Sequence, residues 1–207
     1  MKIYRTAFLI STLLASITAT ATVIDTGPGP NSLGGALLVT SNPALPVFSK
    51  LAGKFELADS EIITSVEGWI NWSQGPSPLT LSIASNVNNL PGSTLYSTTQ
   101  NIPATSNQPE WLGASDLAWE MDAGTYWLIF SVPANNPAFG VMPTGVANPL
   151  PAYAFQTNPY QSFALTSDSY GMRITATSIP ESNSRLYIII GLLAMIAKLA
   201  TKSNKSP

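Results

Sequence analysis

The chain has no cysteine and no histidine. The first absence rules out disulfides and thiol chemistry, so an exported chain of this kind is held by its core alone or by bound ions. Together the two absences exclude Ser-His and Cys-His nucleophilic mechanisms within the chain, and histidine metal sites with them. Charge is scarce too. Charged residues are 10% of the 207, against about a quarter in a typical soluble domain. Ser, Thr, Asn, Gly and Pro take their place, a balance common in exported β proteins. Between the two ends, Lys50, Lys54 and Arg173 stand against Asp25, Glu56, Asp59, Glu61, Glu67, Glu110, Asp116, Glu120, Asp122 and Asp168, which is 3 − 10 = −7. Phosphate contacts need clustered Lys and Arg, so nucleic acid is not an expected partner.

What is present is clearest at the ends. Residues 1–21 read as a secretory signal peptide. Lys2 and Arg5 form the basic start, Ala7 to Ile17 the apolar stretch, and Ala19-Thr20-Ala21 a small-x-small site with cleavage expected after Ala21. At the other end, residues 178–207 form a sorting and anchor segment. Leu186 to Ala197 is an unbroken apolar run of twelve residues, and a spanning helix needs about 20. Leu199 and Ala200 extend the predicted transmembrane helix to 186–200, with the Lys198 ammonium snorkelling toward the headgroups. Lys198, Lys202 and Lys205 lie beyond the run, and no acid follows Glu181. Positive charge stays on the cytoplasmic side, which places the C-terminus inside and the preceding domain outside.

The body, residues 22–177, is long enough for one domain with its own core. It shows no helical periodicity. Lys50 to Leu57 alternates with period two and predicts a strand, as do Ile62 to Trp72, Leu79 to Ala84, Ser93 to Thr99, Trp111 to Met121, Thr125 to Val132 and Tyr170 to Ala176. Shorter strands are expected at Ala36 to Thr40, Gly140 to Met142 and Ala152 to Gln156. In Ile62 to Trp72, Ile62, Val66 and Ile70 are expected on one face and Ile63, Glu67 and Trp69 on the other. Asn86 to Gly92 reads as a loop. Asp122-Ala123-Gly124 reads as the turn of a hairpin. Many short strands separated by turn signals predict an all-β, antiparallel β-sandwich, jelly-roll-like in order.

Two resemblances add to this. Ile179-Pro180-Glu181, the apolar run and the terminal basic cluster together resemble the PEP-CTERM sorting signal of exported bacterial proteins, with Ser182 where a second proline is usual and lysines where arginines are usual. That resemblance implies an exosortase, a sorting and processing transpeptidase, as a partner. It also implies transient anchoring in the inner membrane, then the cell surface or the extracellular space. Leu51-Ala52-Gly53-Lys54-Phe55, Ile63-Thr64-Ser65-Val66, Asn89-Leu90-Pro91-Gly92-Ser93 and Ala123-Gly124-Thr125-Tyr126-Trp127-Leu128 are similar to bacterial exported domains with variable C-terminal anchors. This second resemblance implies a β-rich fold and carries no assigned activity.

Five tryptophans and seven tyrosines suit stacking on sugar rings, and equally the core of a sandwich. Trp69 and Trp72, next to a Gly-Pro loop, and Trp111, after a polar loop, are the candidates for glycan stacking. Trp119 and Trp127 are assigned to the core. Tyr153 and Tyr160, in a Pro-rich segment, could line the same end of the sandwich. Asp116 and Asp122 are the candidate calcium ligands, because Ca²⁺ takes carboxylate and carbonyl oxygens; no other cofactor is expected. No residue is assigned a catalytic role. Asn71-Trp72-Ser73 matches a glycosylation acceptor, which in some settings marks exposure. The favoured function is a non-catalytic interaction module of a surface or extracellular-matrix protein, with extracellular polysaccharide as a partner. A carboxylate-dependent polysaccharide hydrolase using Glu110 and Glu120, or a purely structural matrix component, is the alternative.

Overall fold

Alternation of apolar with polar residues becomes strand after strand. A computed structural model describes residues 20–31, 35–39, 50–73, 75–105, 108–133, 139–157 and 161–179. These hold thirteen strands and no helix: β1 (Thr20–Asp25), β2 (Ala36–Val39), β3 (Lys50–Leu57), β4 (Glu61–Trp72), β5 (Ser77–Val87), β6 (Leu90–Ile102), β7 (Glu110–Ala114), β8 (Trp119–Met121), β9 (Gly124–Ser131), β10 (Phe139–Met142), β11 (Ala152–Gln156), β12 (Ala164–Thr166) and β13 (Met172–Ser178). They belong to one unit, Ala19–Ser178. The chain is therefore all-β, and every pairing among the described residues is antiparallel. Residues 1–19 of the expected signal peptide, Pro180 and Glu181 of the sorting motif, and the expected transmembrane helix over 186–200 lie outside the described residues. So does Tyr160. Ile179 is described and exposed.

Two sheets face each other. One runs β1-β13-β4-β10-β2, with β7 and β8 also on β4; the other runs β12-β11-β3-β9-β5-β6. β4 organises the first sheet because it is long enough to pair four strands. On one edge the Trp69 N–H donates to Gly171 O and the Ser73 N–H to Phe139 O, the continuations of β13 and β10. On the other edge sit β7, β8 and the Thr105 N–H, which donates to Trp72 O. β1 starts at Thr20, so it spans the expected cleavage point. A chain beginning at Thr22 keeps the pairs Thr22–Thr175, Ile24–Ile174 and Asp25–Arg173.

Three expectations about local structure are corrected. The phase of β4 changes within the strand. Ile63 is fully buried together with Val66, Gly68, Ile70 and Trp72, while Ile62 is only half-buried. The register shift beside Thr175 places two steps of β4 against one of β13, and that bulge turns the alternation over between Ile63 and Val66. The Asp122-Ala123 turn is not a hairpin. β8 pairs with β4, whereas β9 pairs with β3 and β5, so the turn carries the chain from one sheet to the other. The β3–β4 connection makes the same crossing beside it, as the pairs Leu57–Gly124 and Glu61–Met121 show. Asn86 to Gly92 is not a loop: β5 runs to Val87 and β6 starts at Leu90, joined by the two-residue turn Asn88-Asn89. Asn88 and Asn89 take φ of 50° and 63°, the left-handed region that a type I′ turn needs and that asparagine tolerates.

The core lies between the sheets. Leu51, Phe55, Leu57, Leu79, Leu81, Ile83, Leu128 and Phe130 from the second sheet meet Ile63, Val66, Ile70, Trp72, Met172 and Ile174 from the first. Full burial of each such side chain contributes about 1.5–3 kcal/mol. Two glycines let the layers close. A Cβ at Gly53 would lie 2.4 Å from Met172 Sδ, and one at Gly68 would lie 2.8 Å from Phe130 Cε1. Each leaves a dent that a large side chain of the opposite sheet fills.

Candidate functional site

The outer face of the first sheet brings an arginine, two acids and two tryptophans together. The register fixes which residues meet. Asp25 lies opposite Arg173, Arg173 opposite Glu67, and Glu67 opposite Gly113, so one row crosses β1, β13, β4 and β7. The next row is Gly171, Trp69 and Trp111. Period-two alternation in each strand sends these side chains outward once Met172, Ile174, Gly68 and Ala114 point in.

Arg173 is the hub. Its Nε donates to Asp25 Oδ2 at 3.2 Å, and its Nη1 lies 3.7 Å from Glu67 Oε2. The guanidinium carbon sits 4.1 Å from the centre of the Trp111 ring, a cation–π contact. Gly113 has no side chain to stand between the two. Trp111 meets Trp69 edge-on, with centroids 5.4 Å apart and planes at 61°, the T-shaped arrangement that aromatic quadrupoles favour. Trp69 fits because Gly171 is small: a Cβ there would lie 2.4 Å from Trp69 Cβ. Gly29 lies beside the ring too: a Cβ there would be 3.4 Å from Trp69 Cδ1. Its indole Nε1 is buried and has no acceptor, a state that costs about 1–3 kcal/mol while it lasts. Both rings are half-buried.

Trp72 does not belong to this face. It is 0% exposed, packs in the core and donates from Nε1 to Ser77 Oγ at 2.8 Å. The reason is regular alternation: Val66, Gly68, Ile70 and Trp72 share the inward face of β4, opposite to Trp69, and Thr105 closes over the strand end. Thr105 Oγ1 accepts from the Trp72 N–H and donates to Asn71 Oδ1. Asn71 is therefore buried, and its glycosylation triplet is not an exposed one. Trp119 and Trp127 lie where the sequence placed them, in apolar surroundings. Trp119 stacks on Tyr96 at 5.5 Å, and Trp127 is fully buried on the far side of β9, donating to Asn86 Oδ1. Tyr153 is buried against Tyr170 and lines no open end.

The acids do not converge. Glu110 stands opposite Ile70 and Glu120 opposite Ile62 on the same strand. Eight residues of strand are about 26 Å, far beyond the roughly 5–9.5 Å that separates paired glycosidase carboxyls. Asp116 has a left-handed φ of 56° and accepts from Ser115 Oγ; Asp122 accepts from Ser60 Oγ. Leu117 bonds at the level of Thr64, while Asp122 sits beyond Glu61, so the two carboxylates belong to opposite ends of β8. Among the described residues no group of three or more His, Cys, Asp or Glu is placed to hold a metal ion.

Alternation in the sequence puts Glu67 on the face of Trp69, but nothing in it brings Arg173 and Asp25 to that face. Their meeting is set by strand pairings that join distant parts of the chain, Asp25 with Arg173 and Arg173 with Glu67, and the signal available was thin: an arginine alternating with buried Met172 and Ile174 must point outward, where a lone cation attracts acids. The chain matches no protein-family model, no curated protein and no solved structure.

Proposed function

We propose that this chain is an exported, membrane-sorted surface or extracellular-matrix protein whose sandwich is a non-catalytic interaction module for neutral polysaccharide. The observation that carries the proposal is the outer face of β13, β4 and β7. Two half-buried indoles lie beside a guanidinium held by two carboxylates. Aromatic planes suit the apolar faces of sugar rings. Arg173, Glu67 and Asp25 supply fixed donors and acceptors for hydroxyl pairs. The cluster sums to −1, from one arginine and two acids, which disfavours anionic glycans.

The jelly-roll reading of the fold is supported by the order of pairing. If β7 and β8 count as one strand, β1-β13-β4-β7/β8 and β3-β9-β5-β6 are two four-stranded sheets with the first and last strands side by side. Jelly rolls include lectins among their many uses, an analogy of fold that carries no function by itself. The export and sorting part rests on the basic-apolar start, Ile179-Pro180-Glu181 and the lysine-flanked run after it. A processing transpeptidase would act there.

Two experiments test the proposal. Isothermal titration against a panel of neutral and acidic polysaccharides should give binding to a neutral member. Trp111→Ala and Trp69→Ala should abolish that binding with the circular dichroism spectrum unchanged. Lack of binding across the panel, or binding indifferent to both substitutions, overturns the module reading. Mass spectrometry of the mature protein should find the tail removed or modified; tails intact from Glu181 onward in all secreted material overturn the sorting reading.

A further inference from the structure

The sheet edges among the described residues are protected, with one exception. β12 and β8 have three residues, β2 four and β7 five; β7 and β8 also carry Glu110 and Glu120. β1 has a bulge between Thr22 and Ile24 and ends on Asp25. Short, bulged or charged edges resist the addition of another strand. β6 has thirteen residues, and no charged residue occurs anywhere from Gly68 to Pro109. Its first half is guarded by Pro91, Gly92 and two register shifts against β5. Its second half, Tyr96–Ile102, pairs regularly with Ser77–Ile83 and has no strand on its other side.

We infer that this edge takes a second copy of the same chain, antiparallel about a two-fold axis at Thr99, joining two six-stranded sheets into one. Charge selects the occupant. The body carries −7, so most approaches of one copy to another are repulsive. The neutral β5–β6 hairpin is where two copies meet without like charges. A two-fold contact uses the same patch twice and closes. Pairing about Thr99 sets Ser97 opposite Asn101, extending the hydroxyl pairs Thr80–Thr99 at 2.9 Å and Ser82–Ser97 at 3.0 Å that already cross β5 and β6. A charged strand from another protein would find no complementary charge here.

The absence of cysteine makes the test clean. In the full chain, purified in mild detergent, Thr99→Cys should form a disulfide-linked dimer under gentle oxidation. Ser115→Cys, at an exposed position in the β7–β8 connection, should not. Facing residues across an antiparallel pair have Cβ atoms about 4.5–5.5 Å apart, close to disulfide reach. By light scattering the parent chain should be a dimer, and Thr99→Lys, at an exposed position, should make it a monomer with the same circular dichroism spectrum. A parent chain that stays monomeric from about 1 μM to about 1 mM overturns the inference. So does a dimer that survives Thr99→Lys, as one held by the tail would, or cross-linking at Thr99 no faster than at Ser115.

Discussion

On their inner sides the two sheets are alike: branched aliphatic and aromatic residues interdigitate, and each sheet has a glycine dent that a side chain of the other fills. On their outer sides they differ. The first sheet presents Asp25, Arg173, Glu67, Trp69 and Trp111, joined by ion pairs and ring contacts. The second carries Lys50, Lys54 and Glu56 on β3, buries Ala52, Ala84, Ala154 and Ile129 around Trp127, and has neutral hydroxyl pairs toward β6. A tryptophan of the first outer face is thus held by contacts that leave it half open, whereas Trp127 of the second is shut away. The same residue type is a candidate ligand contact in one place and core in another. Its neighbours across the ladder decide which, and its neighbours in sequence do not.

The largest test of that contrast compares Trp72 with Trp111. Trp72→Ala removes a fully buried ring and its hydrogen bond to Ser77 Oγ. A loss of about 3–5 kcal/mol is expected in urea denaturation. Trp111→Ala removes an edge-on ring pair and a cation–π contact, together about 1–2 kcal/mol, while abolishing polysaccharide binding. Equal costs for the two substitutions would make the outer face ordinary core.

The two glycine dents should not be equivalent. At Gly68 an added Cβ meets the rigid Phe130 ring, and Gly68→Ala should cost about 1–3 kcal/mol through overpacking. At Gly53 it meets the ends of Met172 and Leu150, which can swing away, so Gly53→Ala should cost less. A reversed order in chemical denaturation would mean that the Phe130 side of the core is the softer one.

Much of this was legible. The predicted strand Lys50 to Leu57 has the bounds of β3, and Ala152 to Gln156 those of β11, because strict alternation and flanking turn residues mark both ends. In Thr125 to Val132 plain alternation sets Trp127 and Ile129 against Leu128 and Phe130, which is how the two clusters divide them. The misses share a cause. β1 is an unremarkable T-A-T-V-I-D until β13 pairs with it, and the phase of β4 depends on a bulge defined only against β13. The Asp122-Ala123 turn has good hairpin chemistry and still crosses between sheets, because β3 and β4 bend at the same point. The Asn88-Asn89 turn is visible in residue type, but the Pro-Gly just after it is the louder turn signal and hides it. The outer-face site failed to appear for the first of these reasons: its two tryptophans were singled out, but the arginine over Trp111 comes from the other end of the body.

Alkaline pH should weaken the inside of the sandwich. Burial pushes the Tyr153 and Tyr170 hydroxyls above their ordinary value, aided at Tyr170 by the nearby Asp168. The folded chain therefore holds these protons where the unfolded chain releases them. The stabilisation is complete below about pH 10, the unfolded value, and declines as pH rises toward the folded values. Denaturation midpoints should fall above pH 10, and Tyr170→Phe should flatten that alkaline limb. An unchanged limb in that variant would place Tyr170 in contact with water.

The smallest expected effect separates the two outer faces by their response to salt. Arg173→Met keeps an apolar stem over Trp111 and removes the pairs to Asp25 and Glu67. These side chains are 29–41% exposed, so the loss should be only about 0.5–1 kcal/mol at low ionic strength. At 1 M salt the screening length falls to about 3 Å, and the difference between parent and variant should shrink toward zero. On the second sheet Thr80→Val removes a neutral hydroxyl pair with Thr99. Its effect should be of similar or smaller size and should not change with salt, since no charge is involved. Denaturation curves at two salt concentrations distinguish the faces. If Thr80→Val proves the salt-sensitive variant, the assignment of electrostatics to one face and hydroxyl pairing to the other is wrong.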